Sequence, residues 1–193
     1  MTKVVVLLAE GFEEVEALTV VDVLRRCDVE VDVVGVNSEV VVGAHGIRVV
    51  SDKQVNDIVV EDYDAFILPG GSPGYVNLRG DSRVLSLVKK AFEKNRVVAA
   101  ICAAPAVLAD AGVLEGKKAT IYPGMEDEIE KVGAQVEEGL VVQDGNVVTS
   151  RGPATALLFA LKLASIFVGE EKAKDVGRRM LVDLVVSSEF LFL

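Results

Sequence analysis

Cys102 lies where a strand-like segment meets a helix-like one, a position that favours a reactive thiol. The run Val97–Ile101 is apolar, and Ala103, Ala104 and Pro105 follow the cysteine. Small neighbours permit a sharp turn that exposes the side chain, and the next helix N-terminus favours a thiolate, which could attack a carbonyl carbon. The alternative is a small apolar residue at a buried strand end. Position alone leaves both interpretations open.

Three glutamates, Glu13, Glu14 and Glu16, open the segment that follows the first apolar run. Acidic side chains in a first helical turn offset the helix dipole, which accounts well for Glu13 and Glu14. Glu16 lies one turn further in and can project toward the strand ends. A carboxyl group facing a thiolate there would have a raised pKa and donate a hydrogen bond to sulfur. On the residues alone, the dipole explanation is favoured.

Two other turns carry candidate residues. Gly70 and Gly71 follow an apolar run but lack the dinucleotide fingerprint and the Walker lysine, so nucleotide binding is not supported. Their N–H groups either line an oxyanion site or form a tight connection. His45, in a glycine-rich turn, is more typical of a surface residue than of a base. Arg151 and Pro153 stand between a hairpin and a helix, where they could simply separate the two elements.

Short apolar runs alternate with longer amphipathic segments, which is typical of a parallel sheet covered by helices on both faces. The predicted strands are 4–8, 30–36, 65–68, 96–101 and 118–122, with hairpins or ribbons at 40–50 and 140–150. The predicted helices are 13–27, 82–94, 103–111, 125–132, 153–168 and 170–179. In the first helix, Val15, Leu18, Val21 and Leu24 are expected on one face. The pattern predicts a doubly wound α/β fold with ligands at the carboxyl ends of its strands.

The length of 193 residues and the 51% hydrophobic content predict a single domain, 1–193, with an apolar C-terminal extension at 180–193. A net charge of -10 argues against nucleic-acid and membrane-surface partners. Two cysteines and one histidine are too few for a usual zinc site or a disulfide scaffold. With no leader or bilayer-spanning run, we expect a cytoplasmic protein with reduced thiols. Cys27, ending an amphipathic helix, is expected to be structural.

Five segments together resemble the ThiJ/PfpI superfamily and, within it, the DJ-1 branch. They are LLAEGFEEVE at 7–16, DVLRR at 22–26, LPGG at 68–71, AAICAAP at 99–105 and TSRGP at 149–153. They occur in the family order over nearly the whole chain. The resemblance implies a flavodoxin-like fold, a homodimer and no cofactor or metal. It also implies that Cys102 is reactive and prone to oxidation, with the protonated Glu16 donating a hydrogen bond to its sulfur.

The resemblance implies further site residues. The backbone N–H groups of Gly71 and Ala103 match the oxyanion donors of the family. Further candidates to line the pocket are Tyr122, His45, Arg25, Arg26, Gly70, Arg151 and Pro153.

The chain departs from the family pattern at three positions. Ala103 replaces the histidine that follows the cysteine in the protease-like branch, so peptidase chemistry is not expected. Tyr122 stands where many DJ-1 branch members have a histidine, and His45 stands where relatives place an arginine near the partner's pocket. The 180–193 extension is longer and more apolar than expected for this branch. We expect it to cover the sheet or extend an interface.

Two function hypotheses from different classes follow. In the first, the protein is a cofactor-independent enzyme of the glyoxalase III or deglycase type, acting on small aldehydes or glycated substrates. In the second, it is a redox sensor or stress-protective, chaperone-like dimer in which oxidation of Cys102 is the function and catalysis is incidental. The same residues serve both hypotheses, so the sequence does not separate them. An inert structural dimer would require an unreactive Cys102, which its position argues against.

Overall fold

A computed structural model describes residues 2–187, which form eleven strands and eight α-helices. The strands are β1 (Lys3–Leu8), β2 (Glu30–Gly35), β3 (Val40–Val42), β4 (Arg48–Val50), β5 (Lys53–Gln54), β6 (Ala65–Leu68), β7 (Val97–Ile101), β8 (Lys118–Ala119), β9 (Gln135–Val136), β10 (Val141–Asp144) and β11 (Val147–Ser150). The helices are α1 (Glu14–Arg26), α2 (Gly74–Arg79), α3 (Ser82–Glu93), α4 (Pro105–Asp110), α5 (Asp127–Glu130), α6 (Ala156–Val168), α7 (Glu170–Arg179) and α8 (Val182–Ser187).

Seven strands form the central sheet, in the order β10-β11-β7-β6-β1-β2-β5. Neighbouring strands are parallel except β10 and β11, which form an antiparallel hairpin at one edge. The helices lie on both faces, so the predicted doubly wound, mostly parallel α/β fold is confirmed. The remaining strands form two small sheets, β3 with β4 and β8 with β9.

The central strands are apolar because both of their faces are covered. In β1, Val5 and Leu7 join one buried cluster, whereas Val4, Val6 and Leu8 join the other. Helices α3 and α4 cover the first of these faces, and α1, α6 and α7 cover the second. Since a parallel sheet collects its strand-to-helix turns at one edge, the ends of β1, β6 and β7 meet there.

Helix α1 packs differently from the prediction. Val21 and Leu24 are buried as expected, but Val15 is 51% exposed and Leu18 37% exposed. The prediction was wrong for these two because α1 carries apolar residues around more than one face. Packing against α6 selects the stripe that contains Ala17 and Val20 instead.

Four predicted elements are clearly shorter in the structure. The helix predicted at 103–111 covers only Pro105–Asp110. The 118–122 segment pairs only at Lys118–Ala119, and it does so with β9 rather than within the central sheet. The acidic helix covers Asp127–Glu130, and the 153–168 helix begins at Ala156 after a 3-10 turn at Pro153–Thr155. Helix α2 was not predicted, because its glycine- and proline-containing start suggested only a turn.

The C-terminal extension is described as far as Ser187 and forms α8. The rest of the extension, 188–193, lies outside the described residues, so its covering role stays a prediction. Within 2–187, every helix is too short or too polar to cross a lipid bilayer.

Candidate functional site

Cys102 occupies a sharp elbow between β7 and α4. Its φ angle is +64°, in the left-handed region that few residues other than glycine adopt. The elbow is held from both sides, because the Cys102 N–H donates to the Ser150 carbonyl at 3.1 Å and the Cys102 carbonyl accepts from the Tyr122 N–H at 2.9 Å. The side chain is partly buried. Such strain at a partly accessible cysteine is characteristic of a functional position.

Glu16 lies beneath this elbow with its side chain fully buried. The Gly70 N–H donates to Glu16 Oε2 at 2.8 Å, and Oε1 is buried without a hydrogen-bond partner of standard geometry. Burial raises the pKa of Glu16 to about 7, and the negative charge of Glu13 adds to the rise. Hydrogen bonds from Gly70 and Cys102 oppose it. The carboxyl group can therefore hold a proton near neutral pH.

The Cys102 thiol and the Glu16 carboxyl group titrate as a pair. Burial, followed by the charge and hydrogen bonding of Glu16, raises the pKa of Cys102 to about 12. Hydrogen bonds from the Ala103 and Gly71 N–H groups to the sulfur lower it. The expectation that the helix N-terminus alone favours a thiolate is thus incomplete, since burial outweighs it. A proton on Glu16 removes the adjacent charge and makes the carboxyl group a donor to sulfur.

Gly70 and Gly71 allow three segments to meet at this point. A Cβ atom on Gly70 would lie 2.7 Å from Cys102 Cβ and 2.9 Å from Glu16 Oε2. Gly71 has a φ angle of +93°, and a Cβ atom there would lie 2.3 Å from the Glu13 backbone nitrogen. The glycines are therefore required for close approach of the backbone, and not merely for a tight connection.

A pocket of about 440 Å³ opens above Cys102. Its lining residues are Glu13, Gly71, Ser72, Tyr75, Cys102, Ala103, Tyr122, Met125 and Pro153. A wider cleft of about 610 Å³ lies against α6 and α7, but no cysteine lines it. We place the site at Cys102 because the strained elbow, the buried carboxyl group and the pocket coincide there.

The structure brings together most of the residues expected at the site. Gly71, Ala103, Tyr122 and Pro153 line the pocket, and Gly70 contacts Glu16 from behind. The pocket is also lined by Ser72, Tyr75 and Met125, which the sequence does not identify because they carry no motif of their own. Glu13 also lines the pocket, although in the sequence the helix dipole is a sufficient explanation for its carboxylate.

Three arginines are not where the prediction placed them. Arg25 donates to the Val31 carbonyl at 2.9 Å and Arg26 pairs with Asp22 at 2.8 Å. Both lie at the far end of α1, about 14 Å along the helix axis from Glu16. Arg151 donates to the Glu138 carbonyl at 3.1 Å and is not among the lining residues. All three therefore lie outside the pocket of their own chain.

His45 lies at the tip of the β3–β4 hairpin, beside the pocket entrance. Its Nδ1 atom is 2.8 Å from Glu14 Oε2 and 3.8 Å from Glu13 Oε1. Glu14 is buried, and it also accepts hydrogen bonds from the N–H groups of His45 and Ile47. Hydrogen bonding to Glu14 raises the pKa of His45. His45 thus contacts the lining residue Glu13 without lining the pocket itself.

The same three side chains could in principle hold a metal ion. One potential ligand atom from each of Glu13, Glu14 and His45 lies within 4.8 Å of the others. The arrangement is equally that of an ion pair, in which Glu14 already occupies the His45 Nδ1 atom. No metal role is assigned to this cluster.

The fold and the site define a class of protein: flavodoxin-like α/β proteins with a cysteine at a strand-to-helix elbow and a buried glutamate beside it. The family model described as the DJ-1/PfpI family matches residues 2–166, and the chain belongs to that family.

Known relatives cover nearly the whole chain. Protein dj-1beta of Drosophila melanogaster is 39% identical over 178 residues, which cover 92% of this chain and 95% of that protein. Its crystal structure gives a TM-score of 0.89 at 39% identity, covering 93% of this chain and 97% of that one. The structure of oxidized Toxoplasma gondii DJ-1 gives 0.88 at 36% identity, with coverages of 94% and 98%. A Pyrococcus horikoshii protein named a deglycase is 37% identical over 153 residues, 79% of this chain and 91% of its own.

Proposed function

We propose that this protein is a cofactor-independent, cysteine-dependent enzyme that acts on small reactive carbonyl compounds, in the manner of a glyoxalase III or a deglycase. The single observation that carries the proposal is the placement of Cys102 at a strained elbow directly beside the buried Glu16. The relatives named deglycases support the same class of substrate. Ala103 stands where a peptidase would need a histidine, so peptide hydrolysis is not proposed.

In the proposed mechanism, the Cys102 thiolate attacks the aldehyde carbon of methylglyoxal, and the carbonyl electron pair moves to oxygen. The N–H groups of Gly71 and Ala103 are suitable donors to that oxyanion. Glu16 then carries the proton from C1 of the hemithioacetal to C2. The resulting thioester is hydrolysed by water, which releases lactate and the free thiol. One water molecule is consumed overall, and no electrons leave the substrate.

Lactate production from methylglyoxal by the wild type, Cys102→Ser and Glu16→Gln tests this proposal. We expect turnover in the wild type and its loss in both variants, because the nucleophile and the proton carrier act in sequence. Full turnover by a Cys102→Ala variant would rule the mechanism out. Cys27→Ser serves as the matched control, since Cys27 is buried in the core.

The second candidate function is that of a redox sensor or a stress-protective, chaperone-like dimer. It is favoured by the partly accessible sulfur, which has N–H donors and a protonatable carboxyl group around it and could hold a sulfinate. The intact mass after graded peroxide treatment separates this function from the first. Negligible lactate production together with clean addition of two oxygen atoms at Cys102, lost in Glu16→Leu, would favour the sensor.

We further propose that the protein acts as a cytoplasmic homodimer. Exposed apolar side chains lie on α1 and the adjacent hairpin, namely Val15, Leu18, Ile47 and Val50. The hairpin lies against the start of α1, because the Ile47 N–H donates to Glu14 Oε1 at 3.3 Å. A second copy covering this surface would remove these side chains from water. It would also bring His45 close to an interface.

A further inference from the structure

One charged side chain lines the Cys102 pocket. Among its nine lining residues, Glu13 is the only one with a carboxylate, and none is a lysine, arginine or histidine. A pocket of about 440 Å³ is larger than a three-carbon aldehyde requires, so the remainder of a larger substrate would also lie inside it. Any charge on that part of the substrate therefore interacts electrostatically with the Glu13 carboxylate.

Glu13 is held in place by its backbone rather than by its carboxylate. Its N–H group donates to the Gly70 carbonyl at 3.0 Å, and its side chain is only 14% exposed. Although Glu13 precedes α1, its side chain makes no capping hydrogen bond to the helix. The carboxylate therefore keeps its charge available to the pocket.

Within residues 2–187 of one chain, no nearby cation fully offsets that charge. The cation paired with Glu13 is His45, whose Nδ1 atom is 3.8 Å from Glu13 but only 2.8 Å from Glu14. One imidazolium shared by two carboxylates leaves a net negative cluster. The Arg151 guanidinium group is directed to Glu138 and Glu126 instead. Glu16, directly beneath Cys102, has the same sign as Glu13 when it is ionised.

We propose that Glu13 makes the Cys102 pocket selective for uncharged and cationic carbonyl compounds, and against anionic ones. This inference rests on the proposed carbonyl chemistry for its substrates, although the charge selectivity itself does not require turnover. A carboxylate on the substrate would lie close to Glu13 in a partly desolvated pocket, where like charges repel more strongly than in water. A neutral oxoaldehyde, or one joined to a guanidinium group, avoids that repulsion.

The first test measures alkylation of Cys102 in the full chain by iodoacetamide and by iodoacetate, which differ little in size but differ in charge. Each reaction forms one S–C bond and releases iodide, and intact mass with peptide mapping gives the rate. Free cysteine sets the reference ratio of the two rates, and Cys102→Ser gives the background. We expect the ratio of the iodoacetamide rate to the iodoacetate rate to be about tenfold higher for the wild type than for free cysteine. This excess should fall as salt is added.

Glu13→Gln keeps the shape of the side chain and removes its charge, so we expect its ratio to fall within about twofold of the reference. Glu10→Gln is the matched control. Glu10 lies three residues before Glu13 in the chain and does not line the pocket, so this variant removes the same charge from outside it. A wild-type ratio equal to that of free cysteine would overturn the inference without any variant. An unchanged ratio in Glu13→Gln, or an equal change in Glu10→Gln, would overturn it as well.

The second test compares kcat/KM for phenylglyoxal and 4-carboxyphenylglyoxal, with the corresponding mandelates as products. We expect Glu13→Gln to raise the relative kcat/KM of the anionic substrate by about tenfold. If the wild type discriminates in alkylation but turns over neither substrate, the proposed function fails and the charge selectivity stands. If it turns over both substrates equally well, the selectivity fails and the proposed function stands.

Discussion

The N–H group of Gly70 donates a 2.8 Å hydrogen bond to Oε2 of Glu16, and this bond favours a proton on the other oxygen. Because Oε2 is already an acceptor, the proton of the neutral acid belongs on Oε1. That oxygen is buried and accepts no hydrogen bond of standard geometry. Protonation therefore turns an unsatisfied acceptor into a donor, on a carboxyl group that interacts with the Cys102 thiol.

Glu16 should make the protein less stable as the pH rises. Its pKa is raised from 4.5 to about 7 in the folded chain by burial, so the folded state holds a proton that the unfolded state releases. The stability from the neutral carboxyl group is complete below pH 4.5 and is lost progressively as the pH rises through about 7. The free energy of unfolding falls by about 3 kcal/mol as a result.

Denaturant unfolding of the wild type and Glu16→Gln between pH 4 and 8 measures this effect. Between pH 4 and pH 8, we expect the free energy of unfolding of the variant to rise by about 3 kcal/mol relative to that of the wild type, since glutamine stays neutral. Glu10→Gln, at an exposed position, should follow the wild type. Parallel curves for the wild type and Glu16→Gln would mean that folding leaves the pKa of Glu16 unchanged.

A hydrogen-bond donor at position 16 should stabilise the Cys102 thiolate. Glutamine retains an N–H donor at this site, whereas leucine has none, and neither carries a charge. We expect Glu16→Leu to be alkylated by iodoacetamide at pH 7 about fivefold more slowly than Glu16→Gln, because the thiolate loses a hydrogen bond. The pH dependence of the rates should place the thiol pKa higher in the leucine variant. Equal pKa values would show that the donor is unimportant.

Gly70→Ala should destabilise the fold by about 2 kcal/mol, because the added methyl group would lie 2.7 Å from Cys102 Cβ. Chemical denaturation measures the loss, and the Cys102 alkylation rate reports the displaced elbow. Gly177→Ala is the matched control within α7. Its added methyl group meets nothing closer than 3.5 Å, and a helical alanine should leave stability unchanged or improve it by about 0.5–1 kcal/mol. Equal effects in both variants would argue against crowding at Gly70.

Leu18→Glu should weaken the proposed homodimer by roughly a hundredfold, because it places a buried charge in an apolar interface. Sedimentation equilibrium over a range of protein concentrations measures the change in dissociation constant. Val59→Glu supplies the control, since Val59 is also exposed but lies away from α1 and the hairpin. A wild-type protein that remains monomeric at high concentration would contradict the proposal directly.

Much of this architecture is encoded locally. The apolar runs at Val97–Ile101 and Ala65–Leu68 and the periodicity of 82–94 identify their strands and helix to within one or two residues. The small residues around Cys102 permit its elbow, although a buried strand end was also compatible with them. These elements can be predicted from the sequence because strand burial, helix periodicity and turn geometry each depend on a few consecutive residues.

The sequence by itself therefore determined the doubly wound fold, permitted the elbow at Cys102 and, through the family resemblance, implied the pairing with Glu16. Only the tertiary structure decided the separate positions of the three glutamates at 13, 14 and 16. Glu16 lies under the thiol, Glu14 is held by the hairpin, and Glu13 lines the pocket. It also placed Arg25 and Arg26 at the far end of α1. These positions depend on contacts between segments that are far apart in the chain. A local sequence pattern does not indicate which distant backbone N–H group will donate a hydrogen bond to each glutamate.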